Sequence, residues 1–218
     1  SNTLEITTDT AIDIATTLDA SATGNTVIYS AQAATAKPQN YYNLVFDGVG
    51  TFYNGVTPSY PAVDMTIAGD LTISGTANVE AGANFIIGGN LTVGTTNFFT
   101  SFDCSVATVV VHGNTFVGGS LNDLDGSLTN ASGGIETNRF LGAVTLTIGG
   151  HWNVSDVTTW SVGGSFTNRG TMKSKGYGGI NFNGAGNLAG SPFSIKTIAV
   201  NGTYAIDTTI TLTTNTPT

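Results

Sequence analysis

One short pattern recurs along this chain and limits what it can fold into: apolar, any residue, Gly, polar, bulky apolar, Thr or Asn, apolar. It stands as Ile67-Ala68-Gly69-Asp70-Leu71-Thr72-Ile73 and again as Ile87-Gly88-Gly89-Asn90-Leu91-Thr92-Val93. Further copies are Ile148-Gly149-Gly150-His151-Trp152-Asn153-Val154 and Val162-Gly163-Gly164-Ser165-Phe166-Thr167-Asn168. Looser ones are Val111-His112-Gly113 and Val200-Asn201-Gly202-Thr203-Tyr204. Apolar residues two apart point to one face of a strand. Glycine fits a corner where the backbone bends and no side chain has room. Each copy therefore reads as strand, glycine corner, strand, and stacked copies make a coil with an aliphatic interior.

Gly69 and Gly89 are 20 residues apart, and Gly150 and Gly164 are 14 apart. Spacings of this size match one rung of a parallel β-solenoid. The irregular interval between 89 and 150 requires loops, with Ser120–Gly134 expected to protrude. The alternative all-β architecture, a β-sandwich, gives short strands and glycine turns but no repeated glycine-corner motif. The expected fold is thus all-β, a parallel β-solenoid (β-helix) with irregular rungs. It divides into an N-terminal strand segment (1–24), the solenoid (25–204) and a C-terminal strand segment (205–218).

Composition agrees. Thr (37), Asn (20), Ser (16) and Gly (29) make 102 of 218 residues, which suits strand faces and tight turns. A hydrophobic fraction of 40% argues against disorder. No window carries an apolar face at helical spacing. Six Lys+Arg against 14 Asp+Glu, net charge −8, make nucleic acid and anionic membrane surfaces poor partners. Apolar runs such as Val109-Val110-Val111 and Phe85-Ile86-Ile87 fall far short of the roughly 20 residues of a spanning helix, so no membrane insertion is expected. One cysteine excludes a disulfide framework and a multi-thiolate metal site. Low Lys, high Thr/Asn/Gly and almost no Cys fit an extracellular, secreted protein of a bacterial cell surface.

A longer echo is also present. Val27-Ile28-Tyr29-Ser30-Ala31 and Leu44-Val45-Phe46-Asp47-Gly48 are answered by Ile180-Asn181-Phe182-Asn183-Gly184 and Ile198-Ala199-Val200-Asn201-Gly202. The chain reads as starting a second copy of itself, as a head-to-tail array requires. The run VIYSAQAATAKPQNYYNLVFDG, with AGDLTISGT, GGNLTVGT, GGSFTNRGT and GINFNGAG, resembles repeats of very large secreted surface proteins of Bacteroidota, including gliding-type adhesins exported by the type IX route. The likeness spans roughly residues 25–212. It implies a β-solenoid in a stalk or filament that touches surfaces or other cells, and it brings no active-site motif.

Little else suggests chemistry. Asp123 and Asp125, in Asn122-Asp123-Leu124-Asp125-Gly126, resemble part of a Ca²⁺ loop but lack the third acidic ligand; a solvated turn is the preferred reading and no metal is expected. His112 and His151 lack a third ligand. Cys104 reads as a small buried hydrophobe, since nucleophilic catalysis would need a nearby base and orienting group. Parity points Trp152 inward together with Leu146, Ile148 and Val154, and Trp160 inward with Val162. Tyr41-Tyr42, Phe52-Tyr53 and Tyr60 look more exposed, as an end cap or neighbour contact. An ice-binding face would need Thr-x-Thr rows on successive rungs, and Thr145-Leu146-Thr147 and Thr209-Ile210-Thr211 do not recur so. A polysaccharide-active β-helix would need a cleft of Asp, Arg and Lys, and Arg occurs only twice. No catalytic residue, enzyme activity or cofactor is expected. Thr10 and Thr208 sit in short acidic-Thr-small/apolar matches to O-glycosylation sites.

The expected role is structural: a repeating unit of a cell-surface filament or adhesin stalk, assembling head-to-tail with copies of itself. A solenoid ends in unpaired strand edges that must be capped or joined. Leu4, Ile6, Ile12 and Ile14 alternate with polar residues near the start, and Ile206, Ile210 and Leu212 near the end. Each segment could add a strand to a neighbour. The alternative role is a module that binds surface glycans.

Overall fold

The computed structural model describes residues 1–7, 20–32, 34–36, 39–53, 64–94, 99–104, 108–122, 137–154, 159–174 and 179–212. The strands are β1 (Thr3–Ile6), β2 (Thr26–Tyr29), β3 (Ala34–Thr35), β4 (Asn43–Tyr53), β5 (Met65–Ile67), β6 (Leu71–Glu80), β7 (Phe85–Ile87) and β8 (Leu91–Val93). They continue as β9 (Ser101–Asp103), β10 (Val109–Val111), β11 (Thr115–Val117), β12 (Ser120–Asn122), β13 (Thr137–Phe140), β14 (Val144–Leu146), β15 (His151–Val154) and β16 (Thr159–Val162). The last are β17 (Phe166–Asn168), β18 (Thr171–Ser174), β19 (Gly179–Phe182), β20 (Ala185–Gly190), β21 (Phe193–Ile195), β22 (Thr197–Val200), β23 (Thr203–Asp207) and β24 (Ile210–Leu212). No helix occurs among the described residues, and none is long and apolar enough to cross a membrane.

Every strand pair is parallel and joins one turn of chain to the next, which is the architecture of a parallel β-solenoid. The strands stack into three faces. The first runs β1, β2, the start of β4, the start of β6, then β8, β11, β14, β17, β20 and β23. The second runs β5, β7, β10, β13, β16, β19 and β22. The third runs β3, the ends of β4 and β6, then β9, β12, β15 and β18, with β21 pairing β24 in a short stack of its own. Strands β4 and β6 bend across two faces. In β6 the bend lies at Gly75, whose φ of +64° is left-handed backbone that suits glycine.

The glycine-corner motif acquires its physical reason here. On the second face the register runs Ile67, Ile87, Val111, Phe140, Val162, Phe182, Val200, so coils differ in length while the stack stays continuous. Gly89 N–H donates to Gly69 O at 2.8 Å, and Gly113 N–H to Gly89 O at 2.8 Å. A Cβ on Gly89 would lie 2.7 Å from the Gly69 carbonyl oxygen, so close stacking of the corners excludes any side chain. The polar residue after each glycine is a ladder. Asp70 N–H donates to Asn43 Oδ1, Asn90 N–H to Asp70 Oδ1, Asn114 N–H to Asn90 Oδ1 and Ala143 N–H to Asn114 Oδ1, at 2.7–3.0 Å. Each side chain satisfies the corner amide of the next coil, which no sheet hydrogen bond reaches. The ladder stops at Ala143, which carries no acceptor.

The motif copy at Ile148–Val154 marks a different corner. Gly150 lies between β14 on the first face and β15 on the third, whereas Gly69, Gly89 and Gly164 lie between the second and first faces. The interval of 14 residues from Gly150 to Gly164 is therefore part of a coil, and Ile148 is 79% exposed against the inward orientation expected from parity. The long echo also fails as structural equivalence: Val27-Ile28-Tyr29 lies on the first face and Ile180-Asn181-Phe182 on the second. The chain's start is not repeated near its end in three dimensions. Of the expected loop Ser120–Gly134, Ser120–Asn122 is strand β12; positions 123–134 lie outside the described residues.

The core follows the inward columns. Trp152, Trp160, Phe140, Phe166 and Phe182 are buried and form a chain of ring contacts with centroids 5.0–5.9 Å apart. Tyr41 and Phe52, expected on the surface, are fully buried. Tyr41 bridges Ala20 and Ile67 in the second face, and its hydroxyl meets that of Tyr29 at 3.0 Å. Burial, with the Tyr29 hydroxyl beside it, pushes the Tyr41 phenol far above its ordinary range, so it stays neutral. One inward column of the first face reads Leu71, Leu91, Thr115, Val144, Phe166. Thr115 interrupts it with a buried hydroxyl that has no hydrogen-bond partner among the described residues. Thr115→Val keeps the shape and removes that group. It is expected to stabilise the chain by about 1 kcal/mol, read as a higher urea midpoint at unchanged slope; a lower midpoint would show that the hydroxyl is satisfied.

Candidate self-association surfaces at the two coil ends

The inward columns that are buried along the solenoid become exposed in the last described coil. Phe182, Leu188 and Ile195 are buried in the penultimate positions of their columns. Their partners in the last coil are Val200, Ile206 and Leu212, exposed by 44%, 58% and 60%. These three side chains continue the inward columns, and no described residue is stacked on them. Ile198, Tyr204 and Ile210 are partly buried against the core. Tyr204 covers a fraction of the opening: its ring packs 5.5 Å from Phe182, while its hydroxyl donates to Val162 O at 3.1 Å and accepts from Gly184 N–H at 3.2 Å. Of the residues expected in self-association, Ile206 and Leu212 are thus presented at this end and Ile210 is half-covered.

At the N-terminal end β1 pairs with β2 along one edge. Leu4, over Val27, is 39% exposed, whereas Ile6, over Tyr29, is buried. Ile6 therefore belongs to the core of the first coils. Ile12 and Ile14 lie outside the described residues. A cleft of about 150 Å³ is lined by Asn2, Thr3, Leu4, Ala20, Asn25, Thr26 and Val27. Glu5 points outward and accepts a hydrogen bond from Ser30 Oγ at 2.7 Å. At the other end Asp207 is exposed on β23. The strand segments at both ends continue the same stack as the central coils.

The remaining candidates do not converge. Asp123, Asp125 and Thr10 lie outside the described residues. Thr208 is half-buried, and its hydroxyl reaches the carbonyls of Gly190 at 3.1 Å and Ser191 at 3.2 Å, a bond an O-linked sugar would forfeit. His112 lies at the corner between the second and first faces, and His151 on the third face. Among the described residues no group of three His, Cys, Asp or Glu could hold a metal. Cys104 is buried. The outward column of the first face holds Thr72, Thr92, Thr145 and Thr167 in register with Phe116 between them, one threonine per strand rather than the Thr-x-Thr row an ice-binding face was expected to need. The repetition escaped sequence reading because the coils differ in length.

The third face is the most polar. Asn78, Ser101, Ser120, His151 and Thr171 share one register column, and Glu80, Asp103, Asn153 and Lys173 the next but one. Ser101 Oγ donates to Asn78 Oδ1, and Asn78 Nδ2 to Glu80 Oε1 at 3.4 Å. No protein-family model, curated protein or solved structure matches the chain.

Proposed function

We propose that the chain is a structural unit of an extracellular fibre or adhesin stalk, in which copies join head-to-tail by pairing the strands at their coil ends. The observation that carries this reading is the all-parallel stack, in which each coil adds its strands to the coil before it through main-chain hydrogen bonds, with Val200, Ile206 and Leu212 exposed in the last described coil one register step beyond the buried Phe182, Leu188 and Ile195. Fully burying one such side chain is worth about 1.5–3 kcal/mol. Half of that for each of three offsets only part of the cost of association. Main-chain pairing between strands of the two copies supplies the rest. A contact between two different ends of one unit is heterologous and, when it does not close, produces a fibre. The resemblance to Bacteroidota surface repeats supports a place on the bacterial cell surface.

The test is assembly of the 218-residue chain, followed by sedimentation velocity and negative-stain electron microscopy. Wild type is expected to form rods. Ile206→Arg with Leu212→Arg places two charges in the open core and is expected to raise the critical concentration at least about tenfold. Rods of undiminished length from the double variant would overturn the reading.

A second reading, a glycan-binding module, is favoured by the paired polar columns of the third face. A glycan array probed with the single unit separates the two, since a bare stalk is silent.

A further inference from the structure

The corner between the first and third faces is uneven in mid-stack. On the coil of β11 and β12 it is Gly118-Gly119 alone, whereas the corner takes residues 94–100 on the coil before and 147–150 on the coil after. Both glycines are buried, and a Cβ on Gly119 would run into the carbonyl oxygen of Thr100, so no side chain fills this position. Phe99 and Ile148 stand on the two longer corners. They are 76% and 79% exposed, the most exposed large hydrophobic residues among those described, and coils continue on both sides of them. Strand β12 pairs with β9 on one side and β15 on the other, so the coils that carry them are two strand spacings apart, about 9–10 Å. Ser101, Ser120 and His151 form the register column that borders this corner on the third face. The surface thus holds a gap one coil wide, with an aromatic wall, an aliphatic wall and a polar rim.

We infer that this gap takes one pyranose ring of a neutral, β-linked glucan chain, held between Phe99 and Ile148 with its hydroxyls toward Ser120 and His151. This rests on the glycan-binding reading above and gives it a place and a sugar. Two van der Waals contacts of about 4 Å each take up most of the width, which leaves room for one ring and not for two stacked. Every substituent of β-glucopyranose is equatorial, so both faces present only C–H groups and the hydroxyls lie in the ring plane. Such a ring meets an apolar wall on each side and covers two exposed hydrophobic side chains. An axial hydroxyl would press a polar group against a wall that offers it no partner, and an α-linkage would turn the chain itself into that wall. Serine hydroxyls and an imidazole both donate and accept, as sugar hydroxyls require. Net charge −8, with Glu80 and Asp103 in the adjoining polar column, disfavours glycans that carry carboxylate or sulfate groups. Phe99 and Ile148 close the gap along the stack, so the chain crosses it from the first face, past Phe116, to the third.

The 218-residue chain is titrated calorimetrically with cellohexaose and with maltohexaose, the same sugar in α-linkage, and is also probed on a glycan array. Wild type is expected to bind cellohexaose at least about tenfold more tightly than maltohexaose. Phe99→Ala and Ile148→Ala are each expected to weaken cellohexaose about tenfold, whereas Phe99→Tyr, which keeps the ring, and Ile86→Ala, an exposed residue of the second face, leave it unchanged. Both wall residues are exposed, so their alanine variants are expected to keep the wild-type urea midpoint, which shows that a lost affinity is not a lost fold. Equal affinity for the two hexaoses, or cellohexaose affinity unchanged in both alanine variants, would overturn the gap as the site. Array signals from other sugars with none from β-glucans would overturn this inference and leave a glycan-binding module standing. Silence for every sugar would overturn both.

Discussion

Trp152→Ala is expected to cost about 3–5 kcal/mol of stability, read as a lowered urea midpoint. Trp152 is fully buried on the third face and is the hub of the aromatic chain, with Phe140, Trp160 and Phe166 at 5.8, 5.1 and 5.9 Å. Alanine leaves a void between three rings that the strands cannot close, because each is held in register by its neighbours on both sides. Trp152→Phe is the comparison. It keeps most of the volume and removes an indole N–H that has no hydrogen-bond partner among the described residues, so its cost is expected to stay below about 1.5 kcal/mol. In a solenoid each coil contacts mainly its neighbours, so the damage is local. Hydrogen exchange is expected to rise in β12, β15 and β18 while β5, β7 and β8 keep their protection. Equal costs for alanine and phenylalanine would show that the aromatic chain is not what holds these coils.

Gly113→Ala is expected to be nearly as damaging, at about 3 kcal/mol or more, although it adds a single methyl group. The Cβ would lie 2.6 Å from the carbonyl carbon of Gly89 and 2.8 Å from Asn90 Oδ1. The first obstacle is backbone, which cannot swing aside as the end of a side chain can. Relief requires the coils to separate, and that stretches both the Gly113 N–H to Gly89 O bond and the Asn114 N–H to Asn90 Oδ1 bond. Asn114→Ala removes one rung of the amide ladder without any clash. It leaves the exposed Ala143 N–H to water and is expected to cost about 1 kcal/mol or less. Urea titrations of the two variants give the order directly; an Asn114→Ala loss equal to that of Gly113→Ala would place the corner's importance in the ladder instead of in close approach.

Much of the fold is legible in residue parity. The triplets Leu71-Thr72-Ile73 and Leu91-Thr92-Val93 state which side faces the core, and the structure buries their outer members. The inward orientation of Trp152 and Trp160 follows from the same rule. Parity fails at Ile148, because Gly149 takes a positive φ of 89° and breaks the alternation between β14 and β15. It fails again for Tyr41 and Phe52, since adjacent aromatics say nothing of which one faces in. At the coil ends the apolar character of Leu4, Ile206 and Leu212 is visible in the sequence, but their exposure depends on what lies beside them in the stack.

The sequence by itself determined that this chain is all-β, coiled, glycine-cornered and aliphatic inside, because those properties depend on neighbours one to four residues apart. Only the tertiary structure decided which corner each glycine turns and which threonines line up. Those relations join residues about 20 positions apart through coils of unequal length. Hydrogen-bonded register between strands holds such a stack together, and it does not depend on a constant count of residues in the chain between them.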